Sequence, residues 1–199
     1  MKTRMLGFTL IELLIVVAII AILAAIAVPN FLEAQTRSKV ARAKADMRSL
    51  ATALEEYAVD YNYPPSTKGL SDWDALIPLT TPVAYITSLP PDPFLSKGAI
   101  DNEGGYWPKP TFDYADNMFR TGGNPTKARE MGYIWILSSM GPGKTRMDPA
   151  APGTNIQVRK ILTGKDPLFI YDPTNGTASL GIIMRTNKGE YTGEDYVPQ

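Results

Sequence analysis

A single carboxylate, that of Glu12, lies near the start of a long apolar run. Between residues 8 and 28 only Thr9 and Glu12 are polar, and Glu12 is the fifth residue of the run. A charge at the centre of a membrane helix costs about 2.5–3.5 kcal/mol, and less toward the ends, so such a residue usually marks a partner or a function. The chemistry that Glu12 supports is ion pairing with a cation. The alternative is that its carboxylate extends to the lipid headgroups.

The apolar run is long enough to cross a membrane. About 21 residues, at about 1.5 Å each, form a helix of about 30 Å, which is the thickness of a bilayer core. Lys2 and Arg4 precede the run and no acidic residue does. The positive-inside tendency therefore predicts that the leader stays in the cytoplasm and that the rest of the chain lies outside.

The composition excludes most catalytic chemistry. The 199 residues include no cysteine and no histidine, which excludes disulfides, thiolate zinc sites and an imidazole base. Lys+Arg and Asp+Glu both number 20, so the chain has no bulk positive charge for nucleic acid. Two carboxylate pairs, Glu55 with Glu56 and Asp113 with Asp116, are interpreted as surface groups. We predict that the protein is not an enzyme.

One loop has the end of a phosphate-binding loop. Residues 138–145 follow a predicted strand and finish in Gly-Lys-Thr. However, Ser138 replaces the first glycine of that motif, and Pro142 removes a backbone N–H donor from the loop. A nucleotide site is therefore rejected.

The residues around Glu12 form a specific motif. The string Gly7-Phe8-Thr9-Leu10-Ile11-Glu12-Leu13 closely resembles the processing site of type IV pilins and of the pseudopilins of type II secretion. The resemblance implies that prepilin peptidase cleaves between Gly7 and Phe8 and methylates the new amine of Phe8. Cleavage on this side of the run leaves the anchor on the mature chain, unlike removal of a secretory signal.

This resemblance also provides a partner for Glu12. The new amine of Phe8 lies about one helical turn from Glu12, and it pairs with Glu12 either within the subunit or across two subunits of a filament. Opposite charges attract more strongly in a dry environment than in water, and an unpaired charge there is penalised. The hypothesis is that Glu12 sets the register of assembly.

A single long helix is predicted to carry this site. Apolar residues recur at spacings of three and four between Val40 and Tyr61, which is typical of one helix face. Pro29 removes one backbone hydrogen bond and should produce a kink or local loosening, and the resemblance implies that the stretch before it can melt on assembly. The string Asn62-Tyr63-Pro64-Pro65 is predicted to end the helix.

The charges of this helix run against its dipole. Basic residues dominate positions 37–48 and acidic residues positions 55–60, whereas the macrodipole favours the opposite order. A solvated face is the ordinary interpretation, and pairing within the domain or between subunits is the alternative.

The rest of the chain is predicted to form one loop-rich domain. Three segments are typical of strands, and an Asn175-Gly176 pair predicts a tight hairpin between the last two. Ser71 with Asp74 predicts a short helix ending before Pro78, residues 155–162 stay open between helix and strand, and the tail from Lys188 is expected to be exposed. The predicted strands are residues 132–139, 168–171 and 178–185.

The segment 95–131 shows no sustained period and is interpreted as a variable loop. Its aromatic side chains either pin the loop to the domain, which we favour, or line a ligand or partner surface. They are Tyr106, Trp107, Tyr114 and Phe119.

Two further segments resemble the major pseudopilin of type II secretion. They are the Tyr-Pro turn of residues 63–70 and the Leu-Pro-Pro-Asp-Pro-Phe string of residues 89–94. Members of that family often hold calcium in the loop after the strand that corresponds to residues 132–139. Here Gly143 stands where the family pattern places an aspartate, and Asp148 with Asp172 is a thin set for an ion that prefers six to eight oxygens. We predict no cofactor, with calcium as the one candidate ion.

Together these features predict an α+β, pilin-like fold, in which the outer half of one long helix packs on a small antiparallel sheet with long loops. The predicted divisions are a cleaved leader (1–7), a transmembrane and assembly segment (8–28), the outer helix half (29–62) and a globular domain (63–199) with its loop at 95–131 and its sheet at 132–186.

The resemblance implies a structural subunit of a pilin-like filament, first of all a major pseudopilin of a type II secretion apparatus. Its assembly residues are Phe8, Glu12 and Pro29. The implied partners are further copies in a helical homopolymer, prepilin peptidase, membrane lipid, an assembly platform and minor pseudopilins, with no nucleic acid. The implied location is the bacterial inner membrane, crossed once with the globular domain in the periplasm, and then a periplasmic or extracellular filament. The alternatives are a type IV pilus subunit for adhesion or motility, and a membrane-anchored binding module that does not polymerise.

Processing gives the first testable prediction. The protein isolated from cell membranes should begin at Phe8 and carry a methyl group on its amine, as measured by mass spectrometry of the intact chain and of its N-terminal peptide. A population that begins only at Met1 would contradict the processing motif.

Overall fold

The computed structural model describes residues 8–67, 72–95, 99–100, 106–107, 111–116, 132–143, 147–148, 151–155, 170–174 and 181–191. Its elements are two α-helices, one 3-10 turn and eight strands. In chain order they are α1 (Leu10–Tyr61), α2 (Asp72–Leu76), the 3-10 turn (Ile77–Leu79), β1 (Ala99–Ile100), β2 (Tyr106–Trp107), β3 (Asp113–Asp116), β4 (Trp135–Ser139), β5 (Met147–Asp148), β6 (Ala151–Asn155), β7 (Ile183–Thr186) and β8 (Gly189–Glu190).

The long helix α1 begins and ends at residues that suit its two termini. Thr9 is the N-cap and forms a capping box with Glu12, which satisfies backbone donors of the first turn. At the other end Asn62 adopts a left-handed conformation with φ of 62°, one of the few non-glycine residues that tolerate it. Pro64 and Pro65 follow. The predicted helix is therefore confirmed, and it begins at Leu10, two residues after the first residue of the apolar run.

Pro29 lies inside α1 and does not end it. Residues on both sides keep helical geometry without a gap, so the local loosening expected near Pro29 is not seen in this part of the structure. A bend of the axis at that point stays a prediction.

Only the outer half of α1 is buried, through the stripe that the sequence periodicity predicts. This stripe packs against β4 and β7, so the helix and the sheet cover each other's apolar faces. Its buried members are Val40, Ala43, Met47, Leu50, Ala51, Ala53 and Leu54.

The main sheet has four antiparallel strands in the order β3-β4-β7-β8. It confirms the predicted antiparallel sheet and the strand in residues 132–139, but the interpretation of residues 95–131 as a loop throughout was wrong. Asp113 to Asp116 form the edge strand β3, with Tyr114 paired to Leu137 and fully buried in the core. Tyr114 is thus a core residue, whereas Phe119 lies outside the described residues.

The predicted hairpin around Asn175-Gly176 was also wrong in its pairing. Ile170 forms an isolated bridge with Ile182, and this bridge is parallel, whereas a two-residue hairpin requires antiparallel strands. Gly181 makes the close approach possible, since a Cβ there would lie 2.2 Å from the carbonyl carbon of Ile170. The turn residues 175–177 themselves lie outside the described part of the chain.

The tail is less exposed than predicted. Gly189 and Glu190 form β8 beside β7, and Tyr191 is buried with its ring 6.3 Å from that of Tyr133. The sheet therefore runs from 113 to 190 rather than from 132 to 186. Several predictions fall outside the described residues, namely those on Ser71, 156–162, 168–169, 178–180 and the tail after 191.

Burial of α1 gives a prediction on stability. Leu50→Ala should lower the free energy of unfolding by about 2–5 kcal/mol, because Leu50 is fully buried between helix and sheet. Val59→Ala is the matched control, since Val59 is on the same half of α1 but 79 % exposed, and it should change stability by less than about 0.5 kcal/mol. Chemical unfolding of the full chain in detergent, followed by tryptophan fluorescence, measures both. Equal losses in the two variants would contradict the packing described here.

Candidate assembly surface

The inner half of α1 is an apolar surface on which none of the described residues packs. Between Phe8 and Leu32 every large apolar side chain is between 45 % and 78 % exposed. This helix has the length and the composition needed to cross a membrane. Water is a poor environment for such a surface, because each large aliphatic side chain gains about 1.5–3 kcal/mol when it is buried. We call residues 8–32 of α1 the apolar segment.

Glu12 and Thr9 form the only polar cluster of the apolar segment. The Glu12 Oε2 atom accepts hydrogen bonds from the Thr9 backbone N–H at 2.9 Å and from the Thr9 hydroxyl at 2.7 Å. The Glu12 N–H donates to the Thr9 hydroxyl oxygen at 3.3 Å. Glu12 is therefore held over the first turn rather than extended along the helix.

This geometry brings two of the predicted site residues together. Phe8 is bonded to Thr9, whose N–H already contacts the Glu12 carboxylate, so an amine at Phe8 would lie one residue from that carboxylate. Both bonds from Thr9 end on Oε2, and Oε1 makes no hydrogen bond with the described residues. Pro29 lies 17 residues further along the chain than Glu12, about 25 Å away on the helix axis, and Gly7 lies outside the described residues.

A second carboxylate, that of Asp92, was not singled out from the sequence. It is 1 % exposed and it ties the proline-rich connector 89–94 to the end of β4. Its oxygens accept from the Phe94 N–H at 2.9 Å, the Ser139 hydroxyl at 2.9 Å and the Met140 N–H at 3.0 Å. A local signal existed, because Asp followed by proline often bonds the N–H two residues on. The long-range partners had no signal in the sequence.

Burial controls the titration of Asp92. Desolvation raises the pKa of its carboxyl above the ordinary value, against the lowering effect of the three hydrogen bonds, and the nearby Asp46 carboxylate raises the pKa further. Asp92 therefore has a structural position, joining connector and sheet.

Of the two acidic pairs predicted to lie on the surface, Asp113 with Asp116 is buried and has a structural role. Asp113 and Asp116 are 4 % and 1 % exposed, so the prediction for this pair was wrong. Asp116 accepts from the Thr67 N–H at 2.6 Å, and the adjacent Tyr114 hydroxyl donates to the Pro65 carbonyl at 2.7 Å. Together they fasten the turn after α1 to the edge strand.

Both residues of the other pair, Glu55 and Glu56, are exposed, as predicted. Glu55 also accepts a hydrogen bond from the Trp135 indole N–H at 2.8 Å, which links α1 to β4.

The two remaining site candidates gain no support. Asp172 accepts both the N–H and the hydroxyl of Thr174 at 2.8 and 2.7 Å, which lowers its pKa and closes a local turn. Among the described residues no cluster of three or more metal-binding side chains occurs, and the side chain of Asp148 lies outside them, so calcium stays an untested prediction. The Ser139 hydroxyl serves Asp92 rather than a phosphate loop, and Lys144 and Thr145 lie outside the described residues.

Comparison with known proteins identifies the family to which this architecture belongs. Residues 2–28 match the prokaryotic N-terminal methylation motif, and residues 30–104 match the model of the type II secretion system (T2SS), protein G. The type II secretion system core protein G of Pseudomonas aeruginosa is 39 % identical over 98 residues, which are 44 % of this chain and 67 % of that protein. The chain belongs to the type II secretion system protein G family.

A second relative extends over a similar length. The core protein G of Escherichia coli is 33 % identical over 108 residues, which are 49 % of this chain and 72 % of that protein. Proteins of this family are structural subunits, so the chain is not assigned to an enzyme class.

The identity to a type IV pilin is higher, but it covers fewer residues. The type IV major pilin protein PilA of Myxococcus xanthus is 61 % identical over 51 residues, which are 26 % of this chain and only 23 % of that pilin. No solved structure matches this chain significantly.

The Asp92 network gives the next prediction. Asp92→Ala should lower the free energy of unfolding by about 3 kcal/mol, because it leaves buried donors of Ser139 and Met140 without an acceptor. Asp92→Asn retains one acceptor oxygen and should cost less. Unfolding of the full-length variants in detergent measures the difference, and two equal, negligible losses would contradict the network.

Asp92→Asn also tests the direction of the titration. Because the folded state keeps the Asp92 proton to a higher pH than the unfolded chain does, this group's contribution to stability falls as the pH rises from about 4 through the raised pKa. Above that pKa the contribution is constant. The variant should lack this fall, and an unchanged pH profile between pH 4 and 8 would show that the raised pKa is wrong.

Proposed function

We propose that this protein is the major pseudopilin subunit of a type II secretion apparatus and that it polymerises through the apolar segment of α1. The observation that carries the proposal is the unequal burial of one continuous helix. Its outer half is fixed to the sheet, whereas its inner half exposes apolar side chains over residues 8–32. Neighbouring copies can bury this surface in a bundle of helices, while the sheet domains form the outer layer.

The carboxylate of Glu12 gives such a bundle its register. Cleavage after Gly7 creates a cationic amine at Phe8, and the capping box already holds the Glu12 carboxylate over the adjacent N–H. In a lipid or protein environment an unpaired charge of either kind is penalised. Docking of one subunit's amine against the next subunit's Glu12 removes both penalties at one axial position.

The proposal includes a location and a set of partners. The subunit is inserted in the inner membrane with Lys2 and Arg4 on the cytoplasmic side, so that the sheet domain lies in the periplasm. Prepilin peptidase trims it there. The contacts between copies are heterologous and do not close into a ring, so the product is a filament that pushes exported proteins outward with an assembly platform and minor pseudopilins.

The second candidate is a subunit of a surface type IV pilus, supported by the 61 % identity to the Myxococcus pilin. The longer matches to core protein G favour secretion. Deleting the gene distinguishes the two, because loss of exported proteins from the medium without loss of surface fibres indicates secretion, and the reverse indicates a pilus. An anchored binding module would form no filament at all.

Variants of Glu12 test the assembly mechanism. Glu12→Val and Glu12→Gln should both insert in the membrane but form few or no filaments, because neither carries the charge that pairs with Phe8. Glu12→Gln is the sharper variant, since glutamine also completes a capping box and leaves the start of α1 intact. Electron microscopy of filaments sheared from cells, with membrane fractionation of the same cells, measures both properties.

The matched control removes the cap and keeps the charge. Thr9→Ala removes the two hydrogen bonds of the Thr9 hydroxyl, keeps the bond from the backbone N–H of residue 9 and preserves the Glu12 carboxylate, so filaments should still form. Normal filaments with Glu12→Gln would refute the charge pairing. Loss of filaments in Thr9→Ala but not in Glu12→Gln would show that the cap matters and the charge does not.

A further inference from the structure

Most charged side chains of α1 have a partner within the chain. Arg37 pairs with Glu33, Arg42 with Asp46 at 3.6 Å, and Lys44 with Glu190. Near the C-terminal end of α1, two further acids accept hydrogen bonds. Glu55 accepts from the Trp135 indole N–H, and Asp60 accepts from the Tyr85 hydroxyl at 2.5 Å. Three exposed charges of α1 are left without a partner among the described residues, and they are Lys39, Arg48 and Glu56.

Glu56 lies on the rim of an open groove between α1 and the sheet. The groove has a volume of about 360 Å³ and is lined by Thr52, Glu55, Glu56, Val59, Trp135 and Arg185, among others. Its charged lining residues are two carboxylates and one guanidinium, so its net charge is negative. Val59 is 79 % exposed and offers an apolar contact beside the acid. A long cationic side chain, with an aliphatic stem and a charged end, suits such a groove.

We propose that Arg48 of a second copy of this chain occupies this groove and pairs with Glu56. This inference rests on the proposed filament, in which neighbouring helices run parallel and are displaced along their axes. The contact would be a second ion pair between subunits, in the outer layer of the filament and distinct from the pairing of the Phe8 amine with Glu12 in the apolar segment.

One axial displacement brings both pairs into contact. If the amine of Phe8 lies beside Glu12 of its neighbour, the two helices are offset by four residues, or about 6 Å. Contact of Arg48 with Glu56 needs an offset of up to eight residues, or about 12 Å, and the length of the arginine side chain covers the difference. In both pairs the subunit displaced outward contributes the cation and the inner subunit contributes the acid.

The positions around the helix agree with this assignment. At 3.6 residues per turn, Phe8 and Arg48 lie within about 40° of each other on α1, and Glu12 and Glu56 lie within about 80°. A subunit that turns Phe8 toward a neighbour therefore turns Arg48 toward the same neighbour. The same holds for the two acids on the receiving subunit.

Charge exchange tests the pairing in assembled filaments. Arg48→Glu and Glu56→Arg should each reduce the yield of sheared filaments by about fivefold or more, because attraction becomes repulsion at every subunit contact. The double variant Arg48→Glu with Glu56→Arg restores opposite charges and should recover the yield to within about twofold of the unaltered protein. Lys39→Glu is the control, and it should have no such effect and should not be rescued by Glu56→Arg.

Cysteine cross-linking provides a direct measurement, since the chain contains no cysteine. In the variant Arg48→Cys with Glu56→Cys, the two cysteines of neighbouring subunits stay further apart than a disulfide allows, so a bis-maleimide with a spacer as long as an arginine side chain is used instead of oxidation. A link within one subunit leaves a monomer, whereas links between subunits should give a ladder of dimers and higher oligomers. Lys39→Cys with Glu56→Cys, separated by about 25 Å, should not.

The outcomes separate this inference from the proposed function. Filaments with no ladder, or single reversals that assemble normally, would refute the Arg48–Glu56 contact and leave the filament in place. Absence of filaments from the unaltered protein would refute the proposed function itself. A ladder together with rescue by the charge exchange supports the contact.

Discussion

The constraint on which this structure depends is the unequal burial of one helix. The outer half of α1 shares a core with β4 and β7, whereas none of the residues that the structure describes covers residues 8–32. Lipid and a bundle of neighbouring helices are equally apolar, so the hydrophobic effect keeps this surface out of water but does not choose between these two environments. A polar interaction has to make that choice. Glu12 has the only charged side chain of the apolar segment, so its carboxylate is the side chain that can make this choice.

The capping box changes how this carboxylate is understood. A free acid in the outer turn of a membrane helix would be a pure penalty, but Thr9 supplies two donors to it. These hydrogen bonds lower the cost of the Glu12 carboxylate in an isolated subunit, but they do not neutralise its charge. In the filament proposed above, the cationic chain end of a neighbouring subunit would neutralise it. On that proposal Glu12 is tolerated in the monomer and better satisfied in the polymer.

Periodic features of the sequence were predictable and buried polar ones were not. The spacing from Val40 to Tyr61 predicted the helix and its packed face, and the proline-rich turn predicted its end. The strand β3 was not predicted, because Asp113 and Asp116 were interpreted as surface groups, whereas the fold buries both. The Asn-Gly pair predicted a hairpin, but the chain around it forms a parallel bridge between Ile170 and Ile182, a long-range choice that local turn rules do not contain.

For the polar residues discussed with the candidate site, one feature could be predicted from the sequence and another could not. The Thr-x-x-Glu pattern of a capping box was present at Thr9 and Glu12 and could have been found from the sequence alone. The partners of Asp92 could not, since Ser139 and Met140 are 47 and 48 residues away. Long-range hydrogen bonds of this kind depend on how the connector crosses the sheet, and no residue spacing encodes that crossing.

The order of the charges along α1 is also explained by the burial of its outer half. A basic stretch followed by an acidic one opposes the helix dipole, but exposed charges near a terminus contribute only about 0.3–1 kcal/mol, far less than the buried stripe of this helix. Packing on the sheet therefore leaves the order of the surface charges free to serve another purpose. Pairs among the described residues use most of them, and those left without a partner there are two cations nearer the apolar segment and one acid further from it. Parallel copies offset along their axes can match a charge pattern of that kind, whereas a single copy cannot.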